Sequence, residues 1–483
     1  MAPLLARRTL LASMLGQSPT PIEIGSRREL FVDDYLVERF TGGARLRLHE
    51  PQRREIAVLH DAPWEGNGCG YHTVFRDGDV YRMYYHAWQI QLDGGAGSPI
   101  RVGYYESSDG IHWTRPELGI YDYRGSKKNN LLLEIHDDFA PFRDENPAAK
   151  PEARYKAVGM GKSPKGLLAW QSADAIHWTL MSPNPIITDG AFDTQNLAFW
   201  DPTLKKYRAY IRDFDHGRRD IKTSVSDDFL RWSKPEWLEY PGSPPEALYT
   251  NQVKPYYRAP HILIGFPSRY TDRGWQRSTD LLPEVEYRRQ RANVSPRYGS
   301  VVTDALFMSS RDGKRFKRWD EAFLRPGLRT RHNWSYGDNY IAWHVVETQP
   351  MDDDQPAELS LYATESYFTG HDTRLRRYTL RIDGFASAFA PIGGGEVVTK
   401  PLAVKGAGLN LNVSTAGGGS VRVELQYAAG RPIPGFTLEE CHLIFGDSLD
   451  REARWRGDRP LPAGPLRLRF ELKDADLYSF RFR

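Results

Sequence analysis

A short motif recurs through the first two thirds of this chain and narrows the fold more than any other feature. Ser-x-Asp, a turn and a tryptophan follow one another as Ser107-Ser-Asp109-Gly-Ile-His-Trp113 and as Ser172-Ala-Asp174-Ala-Ile-His-Trp178. Looser copies are Ser224-Val-Ser-Asp227-Asp-Phe-Leu-Arg-Trp232 and Ser310-Arg-Asp312-Gly-Lys-Arg-Phe-Lys-Arg-Trp319. Copies several tens of residues apart mark a repeat architecture, and four-stranded propeller blades with insertions fit that spacing. The aspartate reads as a turn between third and fourth strands and the tryptophan as a wedge between blades. The motif is structural.

A second repeat sets a polar turn before an aromatic strand. It runs through Arg76–Tyr85, Phe142–Gly159, Trp200–Ile211, Tyr256–Gly265 and Tyr336–Trp343. Each is a hairpin signal, and five hairpins predict five blades. Glu358–Glu365 adds a strand to the last blade, and a strand near Glu29–Val32 is expected to close the ring. The acidic loop Met351-Asp-Asp-Asp354 reads as a solvated turn inside the fifth blade. Beyond Thr373 the pattern changes to Gly-rich turns and strict alternation, as in Ser420–Tyr427 and Leu466–Leu472. That period of two marks half-buried antiparallel sheet. The expected fold is all-β, with a five-bladed β-propeller over 23–372 followed by a small β-sandwich over 373–483.

Composition agrees and excludes several functions. Trp 13, Tyr 26 and Phe 21 with Gly 42 and Pro 33 suit short aromatic strands and frequent turns better than long helices. Lys+Arg 65 against Asp+Glu 62 leaves +3, too little surplus for a nucleic-acid partner. No apolar run reaches the roughly 18–20 residues that span a bilayer. Two cysteines, Cys69 and Cys441, make no disulfide framework, and CxxC, HExxH and phosphate-binding glycine loops are missing. The start, with Arg7-Arg8 before a short apolar stretch, resembles a twin-arginine export signal. Residues 1–22 are therefore expected to be an export signal or tail, and the protein periplasmic or secreted.

Propeller topology says where chemistry collects. Inner strands start at the mouth of the central channel, and second strands end there. Counting back from each hairpin turn gives Tyr71, Asp138, Asp193 with Gln195, Thr250 with Asn251, and His332. Second-strand ends add His86 with Trp88, Arg212 with Asp213, Arg269 and Glu347. Asp304 begins a third strand, Glu65 lies just upstream of the first blade, and Trp334 is near the fifth. Paired carboxylates are what glycosidic cleavage needs, one to protonate the leaving oxygen and one to attack or to activate water. The expected catalytic set is Asp138 and Asp193 with Glu65 and Glu347. Tyr71, His86, Trp88, Gln195, Arg212, Asn251, Arg269, Asp304, His332 and Trp334 are expected to bind substrate. The insertion Gly274–Arg297 is rich in arginine, which reads either as a solvated loop or as a site that would favour an anionic glycan.

Several segments resemble bacterial five-bladed propeller glycoside hydrolases, most closely families 32 and 43 with an appended sandwich. They are Glu29–Tyr35, Trp64–Asn67, Phe139–Pro147, Asp193–Pro202 and Leu375–Gly384. The resemblance implies hydrolysis of an oligo- or polysaccharide without an organic cofactor. Some similar propellers hold a structural calcium, but no ligand spacing here supports one. Those families place an aspartate where this chain has Tyr71. Two other readings use the same fold, a non-catalytic carbohydrate-binding propeller and a scaffold for protein contacts.

Overall fold

The computed structural model describes residues 20–90, 97–350, 354–457 and 459–483. Strands take 48% of the chain and helices 5%. Two compact units form, one from Leu48–Ser387 and one from the described part of 1–47 with Ala388–Arg483.

The larger unit is a propeller of five antiparallel four-stranded blades. From channel to rim, the first is Gly70–Asp77, Val80–Ala87, Ile100–Ser107 and Leu131–Ile135. The second is Phe139–Arg143, Tyr155–Lys162, Lys165–Ser172 and Thr179–Leu180. The third is Leu197–Asp201, Lys206–Asp215, Arg218–Ser226 and Glu236–Trp237. Lys254–Tyr256, Ala259–Gly265, Met308–Ser310 and Phe316–Arg318 form the fourth. Val346–Thr348, Glu358–Glu365 and Arg374–Arg381 begin the fifth, which Gln52–Leu59 completes. The inner strand of blade 1 touches the segment leading into the inner strand of blade 5 through a parallel bridge, Thr73 to Trp343. Trp343 is wholly buried, and its indole N–H donates to the Val253 carbonyl at 2.9 Å.

Three expectations need correction. The ring is closed by Gln52–Leu59 and not by Glu29–Val32, because Glu29 and Leu30 pair with Phe480 and Ser479 in the other unit. Arg374–Arg381 belongs to the propeller, so the boundary expected at 372 lies at 387, and 23–47 go with the C-terminal unit. The fifth hairpin turns between Thr348 and Glu358, whereas Tyr336–Trp343 leads into the inner strand. Met351–Asp353 of the acidic loop, Gln91–Ala96 and the start of the export-signal segment, 1–19, lie outside the described residues.

The repeated serine–aspartate turns share one geometry. Ser107 Oγ accepts the N–H of Asp109 and Gly110, and Asp109 Oδ1 accepts those of Ile111 and His112 at 2.7 and 2.8 Å. Ser172 with Asp174, and Ser310 with Asp312, repeat it. In the third copy the pair is Ser226 with Asp228, not Ser224 with Asp227. The residue after each aspartate is left-handed, with φ of 73° at Gly110, 70° at Ala175, 69° at Phe229 and 77° at Gly313.

Blade 4 carries a long insertion between its second and third strands. It contains a two-stranded extension, Ser268–Thr271 with Val302–Ala305, and the helices α1, Val285–Val294, and α2, Pro296–Ser300. In the smaller unit, Leu409–Tyr427 pairs with Leu466–Phe482 along most of its length. Val421, Val423 and Leu425 face Leu468, Phe470 and Leu472 in one core with Phe31 and Trp455. The alternation read in the sequence is that buried face.

Candidate functional site

Where the inner strands begin, five blades converge on a cavity of about 110 Å³. Tyr71, at the start of blade 1, enters it from a left-handed backbone, φ 50°. Asp137 precedes blade 2, Asp193 precedes blade 3, Tyr249 precedes blade 4 and Tyr336 leads into blade 5. Second-strand ends supply His86 and Trp88 from blade 1 and Tyr367 with Phe368 from blade 5. Arg297 and Tyr298 come down from α2.

The walls are a lattice of phenols. Tyr336 Oη lies 3.1 Å and Tyr71 Oη 3.5 Å from Tyr249 Oη. The Tyr249 ring stacks on Tyr270 and Tyr340, with centroids 5.9 and 5.6 Å away. His86 packs edge-on to Tyr71 at 5.0 Å, and burial lowers its pKa to about 3, so it stays neutral. Its Nε2 has no partner among the described residues.

The two pocket carboxyls stand in different environments. Asp193 pairs with the buried Arg212 guanidinium, which also donates to the Ala191 carbonyl at 3.1 Å. Burial raises the pKa of Asp137 to about 6, against a downward pull from Arg212. Two acids whose environments hold them apart can divide the work of proton donor and ionised partner.

The other expected residues fall into three places. Asp138 does not line the cavity. It is wholly buried, with Oδ2 accepting the backbone and side-chain N–H of Asn196 at 2.9 and 3.0 Å, so it laces blade 2 to blade 3. Gln195 spans the channel, donating to Tyr71 O and Thr73 Oγ1 at 3.0 Å and accepting from Gln252 at 2.7 Å. Asn251 is wholly buried, with Oδ1 accepting the Val253 N–H at 3.3 Å. Glu65 is also interior and structural. Burial alone would push its pKa up, but His60, the Tyr85 hydroxyl and Arg115 bring it down to about 2. Tyr105 Oη and the Ala62 N–H, each at 2.9 Å, occupy it further.

Glu347 lies at the opposite end of the inner strands. There it lines a cavity of about 750 Å³ with Arg76, Arg143, Lys254 and Tyr257, whose hydroxyl it accepts at 2.5 Å. Misplacing the fifth hairpin put it at the mouth, and the true second-strand end there is Tyr367 with Phe368. Arg269, Asp304 and Trp334 line a third cavity, of about 690 Å³, on the blade 4 extension. Arg269 grips Asp304 with two bonds of 2.9 and 2.7 Å. His332 bonds Ser366 Oγ at 2.8 Å in a loop outside the mouth pocket. Thr250 bonds Ser268 Oγ at 2.7 Å, leaving Tyr249 as the pocket residue.

Of the expected set, Asp193, Tyr71, His86, Trp88 and Arg212 are brought together. Asp137, Tyr249, Tyr336, Tyr367, Phe368 and Tyr298 were not anticipated, and Arg297 only as part of a basic insertion. Asp137 and Tyr249 each lie one residue from an expected position, Asp138 and Thr250. Among the described residues, no group of three or more His, Cys, Asp and Glu is placed to hold a metal ion.

No family model matches the chain, and no curated protein matches its sequence. Solved structures similar to it include a glycosyl hydrolase from Bacteroides ovatus, 12% identical with a TM-score of 0.42, covering 68% of this chain and 94% of that one. A fructofuranosidase from Schwanniomyces occidentalis is 11% identical with a TM-score of 0.41, covering 88% and 96%. An N-acetylgalactosamine deacetylase from F. plautii is 12% identical with a TM-score of 0.40, covering 72% and 96%. At such values neither a family nor an activity follows from the likeness.

Proposed function

We propose that this protein is a glycoside hydrolase acting in the mouth pocket, with Asp137 as general acid and Asp193 as the second carboxylate. One observation carries the reading. Two carboxyls share a small aromatic pocket, one raised to about 6 by burial and the other bonded to a guanidinium. Asp137 is then protonated often enough to give its proton to a departing glycosidic oxygen, while Asp193 acts in its ionised form. Tyr and Trp faces suit the apolar side of a sugar ring. Ligand pockets usually measure roughly 300–1,000 Å³, and a space of about 110 Å³ is small beside that, so we assign exo action on a terminal sugar.

The test is release of sugar from a panel of aryl glycosides and polysaccharides. On a substrate so found, Asp137→Asn and Asp193→Asn should each lower kcat by about 10²–10⁴-fold. The wild-type rate should fall as pH rises above about 6, where Asp137 loses its proton. Near-wild-type rates in both variants would rule the assignment out. Binding without turnover across the panel would favour the carbohydrate-binding propeller.

A further inference from the structure

We infer that the mouth pocket takes a terminal sugar bearing an anionic group, a carboxylate or a sulfate, held by Arg297 on the pocket wall, with Arg212, which pairs with the lining Asp193, and Arg219 adding positive charge behind it. That the ligand is a sugar rests on the function proposed above, whereas the charge is argued from the guanidiniums themselves. Arg212 is wholly buried, and two of its guanidinium nitrogens, Nε and Nη1, have no partner among the described residues. Its third nitrogen serves Asp193 and the carbonyls of Ala191 and Asp193.

Arg297 meets phenols in place of carboxylates. Its Nη2 lies 3.5 Å from Tyr298 Oη, and its guanidinium carbon lies 5.0 and 5.6 Å from the Tyr298 and Tyr336 ring centres. Arg219 packs over Tyr270 at 4.2 Å and Tyr249 at 5.2 Å, with its own Nε unpartnered among the described residues. Three guanidiniums thus lie against the Tyr249–Tyr336 pair, whose pocket holds two carboxyls. When Asp137 is protonated, as an acid catalyst must be, one carboxylate remains against three cations. A buried cation without its counter-charge is costly, and a planar guanidinium with free N–H groups is made for two-point contact with a carboxylate or sulfate. The substrate supplies the missing charge.

Calorimetric titration of the whole protein at about pH 5, where Asp137 is protonated, and at low salt tests this, with glucuronate, glucose 6-sulfate, glucose and inorganic phosphate as titrants. One of the anionic sugars should bind at least about tenfold more tightly than glucose, and added salt should erode the difference. Glucuronate ahead of the sulfate assigns a carboxylate, and the reverse order assigns a sulfate. Arg297→Gln should abolish the preference, and Arg219→Gln repeats the test if that variant unfolds. Glucose binding as tightly as both anionic sugars, phosphate binding as tightly as either, or no binding of any sugar would overturn the inference. The two readings fail separately. An anionic preference without hydrolysis of any aryl glycoside or glucuronide keeps this inference and ends the hydrolase reading. Hydrolysis of neutral glycosides without that preference does the opposite.

Discussion

Asp137 and Asp138 differ by one position at the start of a strand, where successive side chains leave on opposite sides. Asp137 enters the pocket and Asp138 is buried beneath it, bonded to Asn196. The sequence showed both carboxyls side by side without the parity of the strand that follows. Tyr249 and Thr250 repeat the case. By contrast, Asp193, His86, Trp88 and Arg212 were legible because long hairpins with clear turns fixed their distance from the mouth. Asp137 also carries a stability cost. Its folded pKa of about 6 lies above the ordinary aspartate value of 3.8. Above pH 6 the folded protein therefore holds an ionised carboxyl that the unfolded chain hydrates freely, while below about pH 4 both states are protonated. Asp137→Asn should raise stability by about 1–3 kcal/mol at pH 7, allowing for the group's partial exposure, and leave it unchanged near pH 3. Urea denaturation at the two pH values measures this. A loss of stability at pH 7 would show that the carboxyl is held by a favourable contact.

Each serine–aspartate turn folds from six or so consecutive residues, so its chemistry was readable in the sequence. The aspartate holds two backbone N–H groups that no strand can satisfy, and the next residue goes left-handed to let it. Asp174 shows the electrostatic result. Partial burial pushes its pKa up, yet His177 and the N–H groups of His177 and Ile176 hold it below the usual range. Asp174→Ala should cost about 1–2 kcal/mol near neutrality. Because the folded pKa is depressed, that contribution should fade as pH falls below about 4. Equal unfolding midpoints for the variant and wild type at pH 7 would deny the turn any role in stability. The fifth blade misled for a related reason. Tyr336-Gly-Asp-Asn does make a turn, with Gly337 at φ 82° and Asn339 at φ 63°. It is a turn before a strand and not between two, a distinction that residue types do not encode. The fifth blade also lacks the serine–aspartate motif, because its third and fourth strands are not joined by a local turn.

Across the whole propeller the deciding contact is the longest in sequence, Gln52–Leu59 against Arg374–Arg381. Such pairing has no local signature, which is why the ring-closing strand was misassigned while the number of blades was not. Val58 sits opposite Leu375 and packs with Val74 and Tyr362 in one core. Val58→Asp should destabilise the propeller by about 3 kcal/mol or more, since it buries a charge without a partner. Thermal unfolding checks this, and an unchanged midpoint would mean that the closing strand contributes little. The same strand imposes an order on biosynthesis. Its residues leave the ribosome before any blade exists, yet its partner is the last blade to be made. Four blades can assemble in succession while Gln52–Leu59 waits as an unpaired edge, open to capture by another chain. Its first half carries Arg53, Arg54 and Glu55, charges that discourage such capture. On closure Arg53 meets Glu365 at 2.8 Å and Glu55 meets Arg377 at 2.5 Å. The residues that guard the nascent strand are thus the ones that recognise its proper neighbour once Arg381 has been synthesised.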